Sequence, residues 1–286
     1  MTRQLLQLPE CGCLTEETSN EMTKRWAVVT GASSGIGLEF ARQLAQRGHP
    51  VLAIARRRER LEALAKEAAE HGGRIESFSA DLATEEGLAL VSRRVDELAE
   101  IELLINNAGV ATSGDFVGAS LDREIAEIKL NVEALVRLTQ RVLGPMVKRQ
   151  HGAVINLASV VGFQPFPHFA VYAATKAFVI SFTEALAEEL KGTGVRILAL
   201  CPGSVKTEID VFAHNEGLLG KLPSLTAAQV VKTGLRALEK GRVVKIVGWL
   251  NRFLPFVDRI MPRQAVRWVM SVVAKAPQGA PAEKTG

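Results

Sequence analysis

The feature that most constrains this chain is a glycine-rich turn between an apolar stretch and an amphipathic helical pattern. The stretch 26–30 runs directly into Gly31-Ala32-Ser33-Ser34-Gly35-Ile36-Gly37, and apolar residues then recur at helical spacing. Glycines let the backbone approach a phosphate closely, and the N-terminus of the following helix receives its charge. A turn of this kind, opening a β-α-β unit, predicts that the chain binds a dinucleotide.

Short apolar stretches alternate with helical patterns along most of the sequence. The predicted strands are 26–30, 50–55, 74–79, 102–106, 153–158, 195–200 and 243–247. Several are apolar almost throughout, which is typical of parallel strands covered on both faces. Helical patterns fill most gaps, with long helices predicted at 121–147 and 173–190. The sequence therefore predicts an α/β fold, a single Rossmann-like doubly wound parallel sheet of about seven strands with helices on both faces.

The domain boundaries follow from where this alternation begins and ends. We expect residues 23–250 to form the catalytic domain and residues 251–275 to form an amphipathic extension with a helix at 263–274. Residues 1–22 and 276–286 lack such patterns, so we expect disordered tails there.

Cysteine content and hydropathy exclude several classes of protein. The chain has 3 cysteines, too few for a disulfide framework, and Cys11 and Cys13 lack a nearby histidine, so no metal site is predicted. The first 20 residues do not resemble a signal peptide, and no stretch of about 18 apolar residues predicts a membrane span. We expect a cytoplasmic protein.

The net charge of +4 is concentrated in residues 241–275. Nucleic-acid binding requires a basic recognition element. The predicted sheet and its helices provide none, so no nucleic-acid partner is expected.

The end of the second predicted strand indicates which cofactor the chain prefers. About 20 residues after the glycines, a carboxylate would bind the adenosine ribose of NAD. Arg56-Arg57-Arg58 stands there instead. A guanidinium forms paired, charge-assisted bonds with a phosphate, so the sequence favours NADP(H), with Arg56 as the main ligand. The alternative is that Arg57 and Arg58 merely begin a solvated helix.

A second group of residues indicates acid–base chemistry. Ser159 follows the fifth predicted strand, and Tyr172 and Lys176 lie four residues apart at the start of a helix. The carboxyl ends of parallel strands share one edge, so these residues and the glycine turn should face one crevice. The ammonium of Lys176 should lower the pKa of the Tyr172 phenol, which could then exchange a proton with a carbonyl or alcohol oxygen.

Taken together, T-G-A-S-S-G-I-G, N-N-A-G, the serine and Y-A-A-T-K resemble the motifs of the short-chain dehydrogenase/reductase family over residues 24–248. The resemblance implies a catalytic tetrad of Asn131, Ser159, Tyr172 and Lys176, with Asn131 anchoring a water in the proton relay. It also implies an oligomer, a homodimer or homotetramer. The residues expected to bind the cofactor are Gly31, Ser33, Ser34, Gly35, Ile36, Gly37, Arg56, Asp81, Leu82, Asn107, Ala108, Gly109, Tyr172, Lys176, Pro202, Gly203, Val205 and Thr207.

The expected substrate pocket is apolar. Its walls are predicted in two segments, 160–169 and 209–219, which contain no cluster of charges for an ionic substrate. The leading hypothesis is an NADP(H)-dependent oxidoreductase that reduces a hydrophobic ketone or oxidises the corresponding secondary alcohol. Two alternatives are a 3-oxoacyl thioester reductase and a non-catalytic nucleotide-binding regulatory module.

The predicted helix at 263–274 is apolar over most of its circumference, with a narrow stripe that includes Arg263 and Arg267. Such a surface requires a cover. We favour packing over the substrate cleft or against another subunit. The alternative is peripheral membrane contact, with the arginines on anionic lipid and Trp268 at the boundary.

Overall fold

The computed structural model describes residues 25–208, 224–248 and 261–274. The predicted tails at 1–22 and 276–286 and the predicted pocket wall at 209–219 lie outside these residues. Seven strands form one parallel sheet in the order β3-β2-β1-β4-β5-β6-β7. The strands are β1 (Arg25–Thr30), β2 (Val51–Ala55), β3 (Ile75–Ser79), β4 (Glu100–Asn106), β5 (Gly152–Leu157), β6 (Val195–Pro202) and β7 (Val244–Val247).

Helices connect the strands and cover both faces of the sheet. They are α1 (Gly35–Gln46), α2 (Arg58–Glu70), α3 (Glu85–Asp96), α4 (Leu121–Ile128), α5 (Ala134–Lys148), α6 (Ala170–Glu189), α7 (Ala227–Glu239) and α8 (Arg263–Val273). The predicted fold class is confirmed.

The core is divided into two layers by the sheet. Alternate residues of β1 face opposite sides, with Val29 packing among residues of α1, α2 and α7 and Val28 among residues of α3 and α5. Strands buried on both faces explain why the sequence is apolar there without alternation.

One predicted helix is interrupted. The pattern at 121–147 predicts a continuous helix, but Lys129–Glu133 forms a π-helical segment between α4 and α5. Asn131 lies in this segment and is buried. The wider turn changes the direction of side chains on either side of it, and such segments often occur at functional sites.

The helix α6 has the length and hydropathy of a membrane span, with a mean hydropathy of 1.2. In this fold, however, its buried residues include Tyr172, Lys176 and Val179. We therefore describe α6 as a core helix that carries part of the site.

Candidate active site

The predicted site residues meet in one cleft of about 770 Å³ at the carboxyl edge of the sheet. This is the edge at which open α/β sheets bind ligands. Of the residues predicted to bind the cofactor, only Gly37 does not line the cleft. Asn131 does not line it either and lies buried behind it.

The glycine turn forms a cradle against the end of β4. Gly31 and Gly35 have φ values of 68° and 57°, a region that side chains disfavour. A β-carbon on Gly37 would lie 2.3 Å from both the Gly31 oxygen and the Asn107 Nδ2. Asn107 Nδ2 donates to the Thr30 oxygen at 2.9 Å, which fixes the turn to β4. The turn therefore packs too closely against itself and against the end of β4 to accept a side chain at Gly31 or Gly37.

The arginines at the end of β2 have different environments. The Arg57 guanidinium donates to Ser33 Oγ at 3.0 and 3.1 Å and to Ser34 Oγ at 2.8 Å. Glu208 accepts from Arg57 and Arg60, and these contacts lower the pKa of its carboxyl to about 2. The Arg56 side chain is 61% exposed and lies 4.0 Å from Asp81. Arg57 is therefore more than a solvated start of the helix. Arg56, with one long ion pair to Asp81 and a largely exposed side chain, keeps guanidinium nitrogens accessible to an anion.

At the other end of the cleft, Ser159, Tyr172 and Lys176 come together. Ser159 lies beside the Tyr172 phenol and favours its charged form. Lys176 Nζ lies 5.7 Å from the centre of the phenol ring and donates to the Leu157 oxygen at 2.8 Å. Burial raises the pKa of Tyr172 to about 12 and lowers that of Lys176 to about 8. The expected lowering of the phenol pKa is thus wrong for the protein alone, because loss of solvation outweighs an ammonium with no direct bond to the hydroxyl.

Asn131 braces the loop that follows β4. Its Oδ1 accepts from the Val110 nitrogen at 3.0 Å, and its Nδ2 donates to the Val110 oxygen at 2.9 Å and to Thr175 Oγ1 at 3.2 Å. Lys176 Nζ and Asn131 Oδ1 lie 3.6 and 3.0 Å from the point that a β-carbon on Gly109 would occupy. Asn131 therefore sits directly behind the lysine, with its amide held by backbone.

Sequence reasoning missed two acidic residues of this region, Glu127 and Glu208. Glu127 is four residues before Asn131, a spacing that places both on one helix face, but its burial depends on a loop from another strand. Glu208 meets Arg57 across 151 positions of sequence. No local pattern could have indicated that contact.

The family model described as short chain dehydrogenase matches residues 25–216. The chain belongs to this family. A short chain dehydrogenase from Pseudocercospora fijiensis is 38% identical over 197 residues, covering 68% of this chain and 64% of the relative. This chain, itself a short-chain dehydrogenase, therefore spans slightly less than two thirds of the length of that relative. Family membership makes it an oxidoreductase acting on CH–OH or C=O groups with a nicotinamide cofactor, so the non-catalytic alternative does not hold.

Two solved structures resemble the fold over most of its length. The bulky-bulky ketone specific alcohol dehydrogenase from Comamonas testosteroni has a TM-score of 0.72 and 31% identity, covering 90% of this chain and 97% of that one. A short-chain dehydrogenase from Sphingobium yanoikuyae, solved in complex with NADPH, has a TM-score of 0.72 and 32% identity, covering 90% of this chain and 98% of that one.

The helix α8 packs beside the site with one face. Val266, Met270 and Ala274 are buried in the same apolar cluster as Phe166 and Tyr172. The opposite face leaves Trp268 69% exposed. Within residues 261–274, packing therefore covers the apolar side of this helix, and the tail has a structural role next to the site.

We expect Met270→Ala to lower the midpoint of thermal unfolding and to change KM for the carbonyl or alcohol substrate, because it opens a cavity in the cluster around Tyr172. A loss of about 2 kcal/mol or more in stability is typical of such a truncation. Trp268→Ala on the exposed face is the matched control and should leave both quantities nearly unchanged. Thermal unfolding and steady-state kinetics measure them, and equal effects of the two variants would contradict the observed packing.

Proposed function

We propose that this enzyme is an NADP(H)-dependent oxidoreductase that reduces a hydrophobic ketone, or oxidises the corresponding secondary alcohol, through Ser159, Tyr172 and Lys176. The observation that carries the proposal is the meeting of a buried phenol, a hydroxyl and a buried amine at one end of a cleft whose other end is a glycine cradle with arginines. When bound there, the nicotinamide ring supplies or accepts the hydride.

The apolar side of the site supports a hydrophobic substrate. Val160, Val161 and Phe166 are buried in one apolar cluster with Tyr172. The similarity to an alcohol dehydrogenase whose described specificity is for bulky-bulky ketones agrees with this choice. A ketone flanked by apolar groups would place only its carbonyl oxygen among polar atoms, at Ser159 and Tyr172.

The acid–base chemistry follows from the two buried ionisable groups. With a pKa of about 12, the Tyr172 phenol is protonated at neutral pH, the form that donates a proton to a carbonyl oxygen. Ser159, which lies beside the phenol and lines the same cleft, is placed to orient the same oxygen. Oxidation would need the phenolate, which a charged Lys176 stabilises. Ketone reduction is therefore the direction that the site favours at neutral pH.

The cofactor preference is proposed from Arg56, aided by Arg57 and the serines of the glycine turn. Because Arg57 bonds to Ser33 and Ser34, it brings positive charge over the turn, while the largely exposed Arg56 side chain lines the same cleft. A phosphate accepts charge-assisted bonds from both. The NADPH bound to the similar Sphingobium yanoikuyae enzyme supports the same choice.

Exposed apolar residues support an oligomer. Leu121, Ile125 and Ile128 are exposed along α4, and Phe178 is exposed on α6. We propose that a second copy of this chain covers this surface in a homodimer or homotetramer, because contiguous apolar patches of this kind typically mark interfaces.

The experiment that tests the function measures ketone reduction by wild type with NADPH and with NADH, over a panel that contains bulky apolar ketones and a 3-oxoacyl thioester. We expect turnover with the bulky ketones and a lower KM for NADPH. Arg56→Met should raise the KM for NADPH about tenfold or more and leave that for NADH nearly unchanged, since it removes a charged hydrogen-bonding partner of the 2′-phosphate.

Arg58→Met is the matched control, because Arg58 adjoins the other arginines but does not line the cleft. It should leave both KM values unchanged. A wild type that uses NADH as well as NADPH would contradict the cofactor assignment. Preference for the thioester over every ketone would replace the substrate assignment with the 3-oxoacyl reductase alternative.

A further inference from the structure

Behind the catalytic residues lies a carboxylate that the chemistry above does not use. Glu127, on α4, is 0% exposed. Glutamate side chains are rarely buried so completely unless they have partners. It accepts hydrogen bonds from the Thr112 nitrogen at 2.9 Å, from Thr112 Oγ1, and from Asn131 Nδ2 at 3.3 Å. A buried acid with three bonds next to a member of the expected tetrad calls for a role.

The bonds to Glu127 favour its charged form. The Thr112 nitrogen and the Asn131 amide can only donate, so both oxygens of the carboxyl group accept. Burial is the largest influence on Glu127 and, with Glu124 on the same helix, leaves its pKa above the usual value, although the Thr112 bonds and the nearby Lys176 act in the opposite direction. The hydrogen-bond donors around the carboxyl group therefore offset part of the cost of burying an anion there.

Lys176 is a buried amine, and its charged form requires an opposite charge nearby. Its amine is fully enclosed, its hydrogen bond goes to the neutral Leu157 carbonyl, and a buried ammonium is costly without a counter-charge. Among the described residues, the groups that favour its charged form are Glu127 and the Cys201 thiol. Burial raises the pKa of that thiol, so Cys201 is neutral and Glu127 is the effective counter-charge.

Asn131 connects the two groups in space. Its Nδ2 bonds to Glu127, and its Oδ1 lies against the same side of Gly109 as Lys176 Nζ. We propose that Glu127 is a positioning residue for catalysis: its buried carboxylate fixes the Asn131 amide and supplies the charge that keeps Lys176 in the ammonium form. Because this assigns a task to Lys176, it rests on the proposed function.

The test is Glu127→Gln, which keeps the size of the side chain and removes its charge. The pKa of Lys176 should then fall by about one unit, since an opposite charge close to an amine shifts the pKa of the amine by about that much. We would measure this by NMR of protein carrying ¹³C-labelled lysine, with the Lys176 signal assigned by Lys176→Met. The alkaline limb of kcat for ketone reduction should move in the same direction, with the Kd for NADPH changing less than twofold.

Two further variants control for a purely structural effect. Glu124→Gln removes another buried carboxylate from α4, one that is not among the groups favouring the charged form of Lys176, so it should not lower the pKa of Lys176. Thr112→Val deletes one hydrogen-bond donor to Glu127. It should lower the pKa of Lys176 as Glu127→Gln does, but by less. It also serves if Glu127→Gln fails to fold.

An unchanged Lys176 titration in a folded Glu127→Gln or Thr112→Val protein would overturn the proposal. The NMR titration needs neither ketone nor cofactor, so this result is separate from a failure of the proposed function, which would be seen only in the ketone panel.

Discussion

Tyr172→Phe should remove ketone reduction almost completely while leaving NADPH binding unchanged. The substitution keeps the buried ring and deletes the hydroxyl that, in the proposed function, passes a proton to the carbonyl oxygen. General acid catalysis of this kind contributes about 10²- to 10⁴-fold to the rate, so kcat should decrease by about that factor or become undetectable. Steady-state kinetics gives kcat, and a fluorescence titration gives the Kd for NADPH.

The same variant tests whether burial of the phenol matters for folding. The ring packs in the apolar cluster with Phe166 and Met270, and phenylalanine keeps that ring. Even where a buried hydroxyl forms a hydrogen bond, losing it costs about 1 kcal/mol, so the unfolding midpoint should change little. A loss of kcat below tenfold in a stable protein that still binds NADPH would show that another group donates the proton.

Strand positions could be predicted from the sequence within one or two residues, because strands of a covered parallel sheet are apolar on both sides. The segment predicted at 195–200, for example, is β6 (Val195–Pro202). The motif residues were also placed in one cleft, since the carboxyl ends of parallel strands share an edge. Local sequence patterns sufficed for the strands and for the motif residues at their ends, because both are determined mainly by residues that are close in the sequence.

The remaining features depend on contacts between distant segments. The π-helical segment at Lys129–Glu133 interrupts a pattern that has helical spacing throughout. The pKa of Tyr172 depends on how completely the surrounding elements exclude water. The four-residue separation between Tyr172 and Lys176 in the sequence gives no information about that. The helix α8 was predicted with nearly its observed bounds, but the surface that it covers is set by tertiary packing.

The glycine cradle yields the second large expected effect. Gly37→Ala should weaken NADPH binding by up to about 100-fold, because the added methyl group would overlap the Gly31 oxygen and the Asn107 amide, each 2.3 Å away. The turn and the end of β4 would have to separate, and overpacking of this kind costs about 1–3 kcal/mol. The displaced backbone is the part that approaches the phosphates, so affinity should fall together with stability.

Gly118→Ala is the matched control, because a β-carbon there meets nothing within 4 Å. It should leave both the Kd for NADPH and the unfolding midpoint unchanged. Gly35→Ala gives a graded comparison: its β-carbon would lie 3.0 Å from the flexible Thr207 Cγ2, and its φ of 57° adds modest strain, so its effect should lie between the other two. If Gly37→Ala binds NADPH as tightly as Gly118→Ala does, the close packing of the turn against Asn107 does not shape the phosphate site.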